Sequence, residues 1–232
     1  MTRYALYWAP DPDSALATLG AAWLGCDGAA RAAPARPTLD GFDPARLESL
    51  TAEPRRYGLH ATLKPPFTLA AGADIAALRA ALSEFAAGTA GVALPALELR
   101  YLDRFLALVP SRPCPLLHDL AARCVVEFDR FRRQPGAGEL ARRRSVGLDA
   151  VEEANLARWG YPYVLDRFRF HVTLTGPIDA AEAARLMPPL ATLFAPVIRA
   201  PLRLDAVALF EEASAGAPFV LVERFALGRP SS

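Results

Sequence analysis

The chain has 232 residues, of which 53% are hydrophobic and 22% are charged, a composition typical of a folded globular protein and not of a disordered one. Its 26 basic and 25 acidic residues leave a formal net charge of +1. An extended nucleic acid is therefore not the expected partner, because binding a long phosphate backbone usually requires a clear excess of basic residues.

The first half of the chain is predicted to contain four strands and three helices. In chain order we predict a strand over residues 3–9, a helix over 15–25, a short helix over 43–50 within a surface loop over 28–56, a strand over 58–63, a helix over 74–85, and strands over 97–102 and 105–109. Short polar residues that can cap a helix stand before these helices, namely Asp13 or Ser14, Asp43 and Asp74. The strand over 58–63 is expected to stop at Pro65 and Pro66.

The second half repeats part of this pattern. We predict helices over 116–131 and 151–159, with a loop or frayed helix over 132–147 between them, then a strand over 167–175, a helix from Asp179 towards residue 186, and strands over 202–210 and 219–225. Pro188 and Pro189 are expected to break or kink the last helix.

The matching order of helix, strand and strand after residues 58–63 and 167–175 predicts a tandem duplication. The expected fold is α+β: a single bilobal domain over 1–232, with one copy within about 55–112 and the other within about 160–228. Each of the two pseudo-symmetric lobes should contain a mainly antiparallel sheet flanked by helices, and a central cleft should carry the two corresponding strands.

The same tetrapeptide pattern, His-x-Thr-Leu, occurs in both of these strands, at residues 60–63 and 171–174. At average residue usage, Thr and Leu at those offsets from a given histidine are on the order of a one in two hundred coincidence. Two of the three histidines in the chain show the pattern, each in a similar strand–proline–helix context. The pair is therefore a strong signal, whereas a single copy would be a weak one.

Alternate side chains of a strand face the same way, so each motif predicts one polar face. His60, Thr62 and Lys64 are expected to share a face in the first copy. In the second copy the corresponding residues are His171, Thr173 and Thr175, with Arg169 just before them; the opposite face, Phe168, Phe170, Val172 and Leu174, is apolar.

Two imidazoles on either side of a phosphate can act as general base and general acid without a metal or other cofactor, and threonine hydroxyls can hydrogen-bond the phosphoryl oxygens. The catalytic candidates are accordingly His60, Thr62, His171 and Thr173. The candidates for substrate contact are Lys64, Thr175, Tyr57 and Arg169.

The paired motif resembles the 2H phosphoesterase superfamily. More narrowly, residues 57–67 (YGLHATLKPPF), 157–163 (ARWGYPY), 168–176 (FRFHVTLTG) and 3–5 (RYA) resemble a DUF1045-like branch described as phosphonate-metabolism proteins. The resemblance implies a duplicated two-lobed fold. It also implies a phosphoric diester hydrolase acting on a small cyclic phosphodiester, such as a ribose cyclic phosphate formed during carbon–phosphorus bond cleavage.

Two other functions stay open at this point: a phosphoesterase for RNA ends or 2'-5' oligonucleotides, and a non-catalytic module that binds a nucleotide or phosphosugar. The sequence does not decide which histidine is acid and which is base. His118 is interpreted as structural or solvated, Arg142–Arg144 as a solvated segment that could instead flank the cleft, and Trp159 with Tyr161 as a hydrophobic cluster rather than a base-stacking pair. No glycine-rich phosphate-binding loop occurs.

The three cysteines lack Cys-x-x-Cys spacing and are predicted to be free thiols in a reducing compartment. No apolar run is long enough to span a membrane. A cytoplasmic monomer with a small phosphorylated substrate, no membrane contact and no bound metal is therefore predicted.

Overall fold

The computed structural model describes residues 1–26, 34–199 and 201–228, so the beginning of the loop predicted over 28–56 lies outside the described residues. The strands are β1 (Arg3–Trp8), β2 (Ala61–Phe67), β3 (Val92–Leu94), β4 (Leu97–Leu102), β5 (Phe105–Pro110), β6 (Val172–Thr173), β7 (Leu202–Leu204), β8 (Ala206–Glu212) and β9 (Phe219–Ala226). The helices are α1 (Ala15–Leu24), α2 (Pro44–Leu50), α3 (Ala52–Arg55), α4 (Ile75–Ala87), α5 (Pro115–Glu127), α6 (Ala137–Arg144), α7 (Ala150–Trp159) and α8 (Ala180–Ile198).

Local capping chemistry explains where most of these helices begin. The side chains predicted as caps accept a hydrogen bond from a backbone N–H of the first turn, namely those of Ser14, Asp43, Asp74 and Asp179. Asp149 and Glu152 form a reciprocal capping box at the start of α7, which was not predicted. Short-range sequence signals therefore place most of the helix starts, whereas α3, α5 and α6 have no side-chain cap.

The strands of the described residues form three antiparallel sheets, in the orders β2-β1-β8-β9, β4-β5-β6 and β3-β7. With helices packed on these sheets, the predicted α+β class is confirmed. The single strand predicted over 202–210 is divided into β7 and β8, because β7 pairs with β3 whereas β8 pairs with β1 and β9.

Each of the two larger sheets takes strands from both halves of the chain. β2, which carries Thr62, lies in one sheet with the C-terminal β8 and β9, and β6, which carries Thr173, pairs with β5 from the first half. Neither sheet is therefore built from one predicted copy alone. The elements after β2 (α4, β3, β4, β5) follow the same order as those after β6 (α8, β7, β8, β9). Tandem duplication itself stays a prediction.

Prolines were expected to end one strand and to break or kink one helix. The strand does not end there and the helix is not broken, whereas a kink in the helix stays a prediction. β2 continues through Pro65 and Pro66, which is possible because β2 is an edge strand and its pairing with β1 is irregular there. α8 continues through Pro188 and Pro189 to Ile198. Its buried apolar residues extend along the whole helix, so packing holds the segments on both sides of the prolines together; they are Ala183, Leu186, Leu190, Phe194 and Ile198.

The second motif strand is shorter than predicted. Regular pairing is limited to Val172 and Thr173, and a 3-10 turn occupies Leu165–Arg167 where the strand was expected to begin. The predicted apolar face is confirmed, since Phe168, Phe170, Val172 and Leu174 are all buried. The alternation of buried and accessible residues therefore extends beyond the hydrogen-bonded ladder.

Candidate functional site

The first motif places Thr62 and His60 beside Tyr7 of β1. Tyr7 pairs with Thr62 across the two strands, and its ring centroid lies 4.0 Å from that of His60. His60 Nδ1 lies 3.0 Å from the carbonyl oxygen of Gly58. Because a carbonyl oxygen can only accept, Nδ1 carries the proton in this bond and Nε2 of the neutral ring remains an acceptor.

The second motif repeats this arrangement. His171 Nδ1 lies 2.7 Å from the carbonyl oxygen of Arg169, again two residues earlier in the chain. The ring centroid of His171 is 5.8 Å from that of Phe105 on β5, the strand with which β6 pairs. Both imidazoles are thus oriented by the same local hydrogen bond, and in both the Nε2 atom is the one left to meet a ligand.

Both histidines are held in the neutral form at neutral pH. Burial is the main cause that lowers the pKa of His60 to about 4; the proximity of His171 acts in the same direction, and the bond to Gly58 has a smaller opposing effect. Burial also lowers the pKa of His171, where the nearby Arg169 acts in the same direction. Because His171 is among the causes of the lowered His60 pKa, the two imidazoles are close enough to interact electrostatically.

A cavity of about 510 Å³ joins the two motif segments. Its lining includes Thr62, Phe105, Glu152, Tyr161, Arg169 and His171. Thr62 belongs to the first motif and His171 to the second, so both contribute to one concave surface. Thr173 and His60 are both partly accessible but are not among the residues that line the cavity, and His60 lies against Tyr7.

Lys64 was predicted to share the face of His60 and Thr62, and this is wrong. Tyr7 pairs with Thr62 but the preceding Leu6 pairs with Lys64, so β2 contains an extra residue at a β-bulge. The bulge turns Lys64 to the side of Leu6, where it is 1% exposed. Its Nζ donates to the carbonyl oxygen of Val125 at 2.9 Å and lies 3.6 Å from Asp129 Oδ1, inside the protein.

Thr175, the counterpart of Lys64, is also turned inward. It is completely buried, and its hydroxyl oxygen accepts the backbone N–H of Leu106 at 3.0 Å. The backbone N–H groups of Leu174 and Thr175 both reach the carbonyl oxygen of Leu106, which breaks the regular alternation. Substrate contact predicted for Lys64 and Thr175 is therefore inconsistent with where the structure places them.

The two remaining substrate-contact candidates are accessible. Tyr57 stacks on Phe219 with ring centroids 5.1 Å apart, and its ring lies 5.6 Å from that of His60. Arg169 is exposed and lines the cavity beside His171. Contact of either residue with a ligand stays a prediction.

Sequence reasoning missed two contributors to this site and misjudged a third. Tyr7 was predicted only as part of an aromatic strand, and no alternation marks it, because it is as buried as Leu6 and Trp8. Glu152 lines the cavity, but in the sequence it stands in the first turn of a predicted helix, where an acidic residue is common and gives no sign of a site. Tyr161 was interpreted as part of a hydrophobic cluster, yet it lines the cavity, with the Arg143 guanidinium 5.0 Å from its ring centroid.

Other predicted features lie outside the motif surface. The ring of His118 packs edge-on against Phe168, in agreement with a structural role. Arg142–Arg144 belong to α6, where Arg143 pairs with Glu139 and Arg144 with Glu153. In the described part of the chain, no three His, Cys, Asp or Glu side chains form a group that could hold a metal ion, and none of the helices there has the length and apolar character needed to cross a bilayer.

Comparison with known proteins identifies the family. Residues 62–220 match the family described as "Protein of unknown function (DUF1045)", so the chain belongs to that family. This confirms the narrower of the two resemblances found in the sequence.

Two curated relatives carry the same name, ribose 1,5-bisphosphate phosphokinase PhnN. The protein from Janthinobacterium sp. (strain Marseille) is 40% identical over 228 residues, which cover 97% of this chain and 50% of the relative. The protein from Laribacter hongkongensis (strain HLHK9) is 36% identical over 219 residues, 94% of this chain and 50% of the relative. The chain thus spans about half the length of these relatives.

These names contradict the predicted activity. The sequence was interpreted as a metal-independent phosphodiesterase, a hydrolase, whereas the relatives are named as a kinase for a phosphorylated ribose. A small phosphorylated substrate is common to both descriptions.

Proposed function

We propose that this chain is the part of a ribose-phosphate kinase-type enzyme that binds the phosphorylated ribose, and that the cavity joining the two motifs is its binding site. The names of the two relatives supply the ligand class. The observation that carries the proposal is the presence of Thr62 and His171, from motifs more than a hundred residues apart in the chain, on the lining of one cavity.

The groups on this surface are suited to a phosphorylated sugar. Threonine hydroxyls such as those of Thr62 and Thr173 can donate to phosphoryl oxygens, and the Nε2 atoms of His60 and His171 can accept a hydrogen bond from a sugar hydroxyl. The lowered pKa values of both histidines keep these Nε2 atoms unprotonated at neutral pH, so that they serve as hydrogen-bond acceptors.

The donor nucleotide of such a kinase is proposed to bind elsewhere. A phosphate-cradling loop needs a glycine-rich turn followed by a lysine that reaches the phosphates. The sequence has no such loop, and its only lysine, Lys64, is buried and bonded to Val125. Since the relatives are about twice as long, we assign donor binding to the half that this chain does not match.

Three points stay predictions: membership of the 2H phosphoesterase superfamily, the tandem duplication and the monomeric state. The repeated element order and the identical histidine–carbonyl bonds support the duplication.

The test is calorimetric titration of the chain with ribose 1,5-bisphosphate, ribose 5-phosphate, ribose and ATP with Mg²⁺. We expect the two ribose phosphates to bind, ribose and ATP not to bind, and His171→Gln to weaken the binding of both phosphates by about 3- to 10-fold, the usual effect of losing a hydrogen bond from a sugar hydroxyl.

Arg112→Gln is a matched control, because Arg112 is exposed and does not line the cavity. Binding of ATP in place of the ribose phosphates, or ribose phosphate binding that His171→Gln leaves unchanged, would contradict the proposal.

A further inference from the structure

The cavity extends from His171 along the segment that precedes it. Phe168 and Phe170 are buried on one side of this segment, whereas Arg169 and His171 are accessible on the other. Arg167, Arg169 and His171 all line the cavity. The guanidinium groups of Arg167 and Arg169 therefore extend the cavity surface that begins at His171.

Both guanidinium groups retain unused donors. Arg167 Nη2 pairs with Asp149 Oδ2 at 2.5 Å, but its Nε is buried and has no hydrogen-bond partner. The Arg169 side chain pairs with no carboxylate among the described residues. Arg169 is exposed and lines the cavity beside His171, so its donors are available to a ligand.

The carboxylates of the cavity leave these donors available. Glu152 Oε2 accepts the backbone N–H of Asp149 at 3.0 Å as part of the cap of α7, and Asp103 lies at the β4–β5 turn with a φ of 56°. Both line the same cavity. Neither pairs with Arg167 or Arg169, so the positive charge next to His171 is not neutralised from within the cavity.

We propose that Arg167 and Arg169 form a second anion subsite, which takes the second phosphate of a bisphosphorylated ribose whose first phosphate lies at the His171 and Thr62 surface. The inference rests on the proposed function. Arg169 and His171 are two residues apart in the extended backbone that follows the 3-10 turn, a separation of about 6.6 Å, which a ribose ring with its exocyclic carbon spans. Guanidinium groups suit the site because their fixed donors match phosphate oxygens.

The experiment compares ribose 1,5-bisphosphate with ribose 5-phosphate as calorimetric probes on the native chain, Arg169→Gln and Arg112→Gln. We expect the native chain to bind the bisphosphate at least about 10-fold more tightly than the monophosphate. Arg169→Gln should remove this preference by weakening bisphosphate binding, and monophosphate binding should change less than about 3-fold. Arg112→Gln should keep the preference.

Failure of the two proposals can be distinguished. If neither ribose phosphate binds the native chain, the proposed function and the subsite both fail. If both bind and Arg169→Gln weakens them equally, or the native chain shows no preference, the subsite is overturned and the proposed function stands.

Arg167→Gln provides a second variant in case Arg169→Gln does not fold. It removes the Arg167 guanidinium and should reduce the preference for the bisphosphate over the monophosphate. Asp149→Asn is its control, because that change removes the ion pair with Arg167 but keeps the guanidinium. An unchanged preference in folded Arg167→Gln also overturns the subsite.

Discussion

The phenol ring of Tyr7 lies against the imidazole of His60, with 4.0 Å between the ring centroids and 35° between the ring planes. Tyr7 is itself buried between Phe210 and Phe219, so it shields one face of the histidine from water. This contact links β1, which no motif marks, to the orientation and protonation of a motif residue.

We predict that Tyr7→Leu raises the pKa of His60 from about 4 towards its usual 6.5, because burial is the main cause of the low value. The measurement is an NMR titration of the His60 ring protons. Tyr7→Phe keeps the ring and should leave the titration close to that of the native chain. A His60 pKa that is the same in Tyr7→Leu and in the native chain would show that the shielding comes from elsewhere.

The low pKa of His60 also predicts a loss of stability in acid. Because the folded pKa is about 4 and the unfolded pKa 6.5, the unfolded state binds more protons between these values. The contribution of His60 is fully present above about pH 6.5 and decreases as the pH falls towards 4, by up to about 3 kcal/mol.

Urea unfolding of native protein and His60→Gln at neutral pH and near pH 4.5 measures this contribution. We expect the free energy of unfolding to fall less in the variant. An equal fall in both proteins would be inconsistent with a neutral, buried His60.

Lys64 gives a dependence of the same sign at high pH. Burial lowers its pKa from 10.5 to about 8, against the smaller opposing effect of Asp129. The unfolded state therefore binds more protons between pH 8 and 10.5, and the contribution of Lys64 to stability rises through this range by about 3 kcal/mol.

We predict that this rise is absent in Lys64→Met, measured as the difference in unfolding free energy between native protein and variant across the range. Ribose phosphate affinity should stay within about 3-fold, because Lys64 lies in the interior. A large loss of affinity in a stable Lys64→Met protein would show that Lys64 faces the ligand together with His60 and Thr62, as the sequence predicted.

Equivalent substitutions at two threonines of the second motif should have different effects. Thr175→Val removes the acceptor of the buried Leu106 N–H and should cost about 1–3 kcal/mol of unfolding free energy. Thr173→Val, on the accessible side of β6, should change stability by less than about 1 kcal/mol. It should instead weaken ribose phosphate binding. The two measurements are thermal or urea unfolding and calorimetry, and a reversal of the two effects would contradict the assignment of the faces.

Much of the fold follows from local sequence. The caps Ser14, Asp43, Asp74 and Asp179 mark helix starts because a side chain needs only its neighbours to satisfy the first turn. The apolar alternation of residues 168–174 likewise predicted which side chains are buried. The repetition of the His-x-Thr motif was also visible in the sequence, because recognising it requires only the residue pattern.

The tertiary structure decided the rest. Whether Lys64 faces the cavity or the core depends on a bulge in the pairing of β1 with β2, and a bulge is set by the partner strand and not by the residues that contain it. Long-range pairing also placed β8 and β9 beside β2, and β6 beside β5. The sequence by itself thus determined the residues of the paired motif, whereas the folded chain decided which of their neighbours reach a ligand, because alternation along a strand persists only as far as its register does.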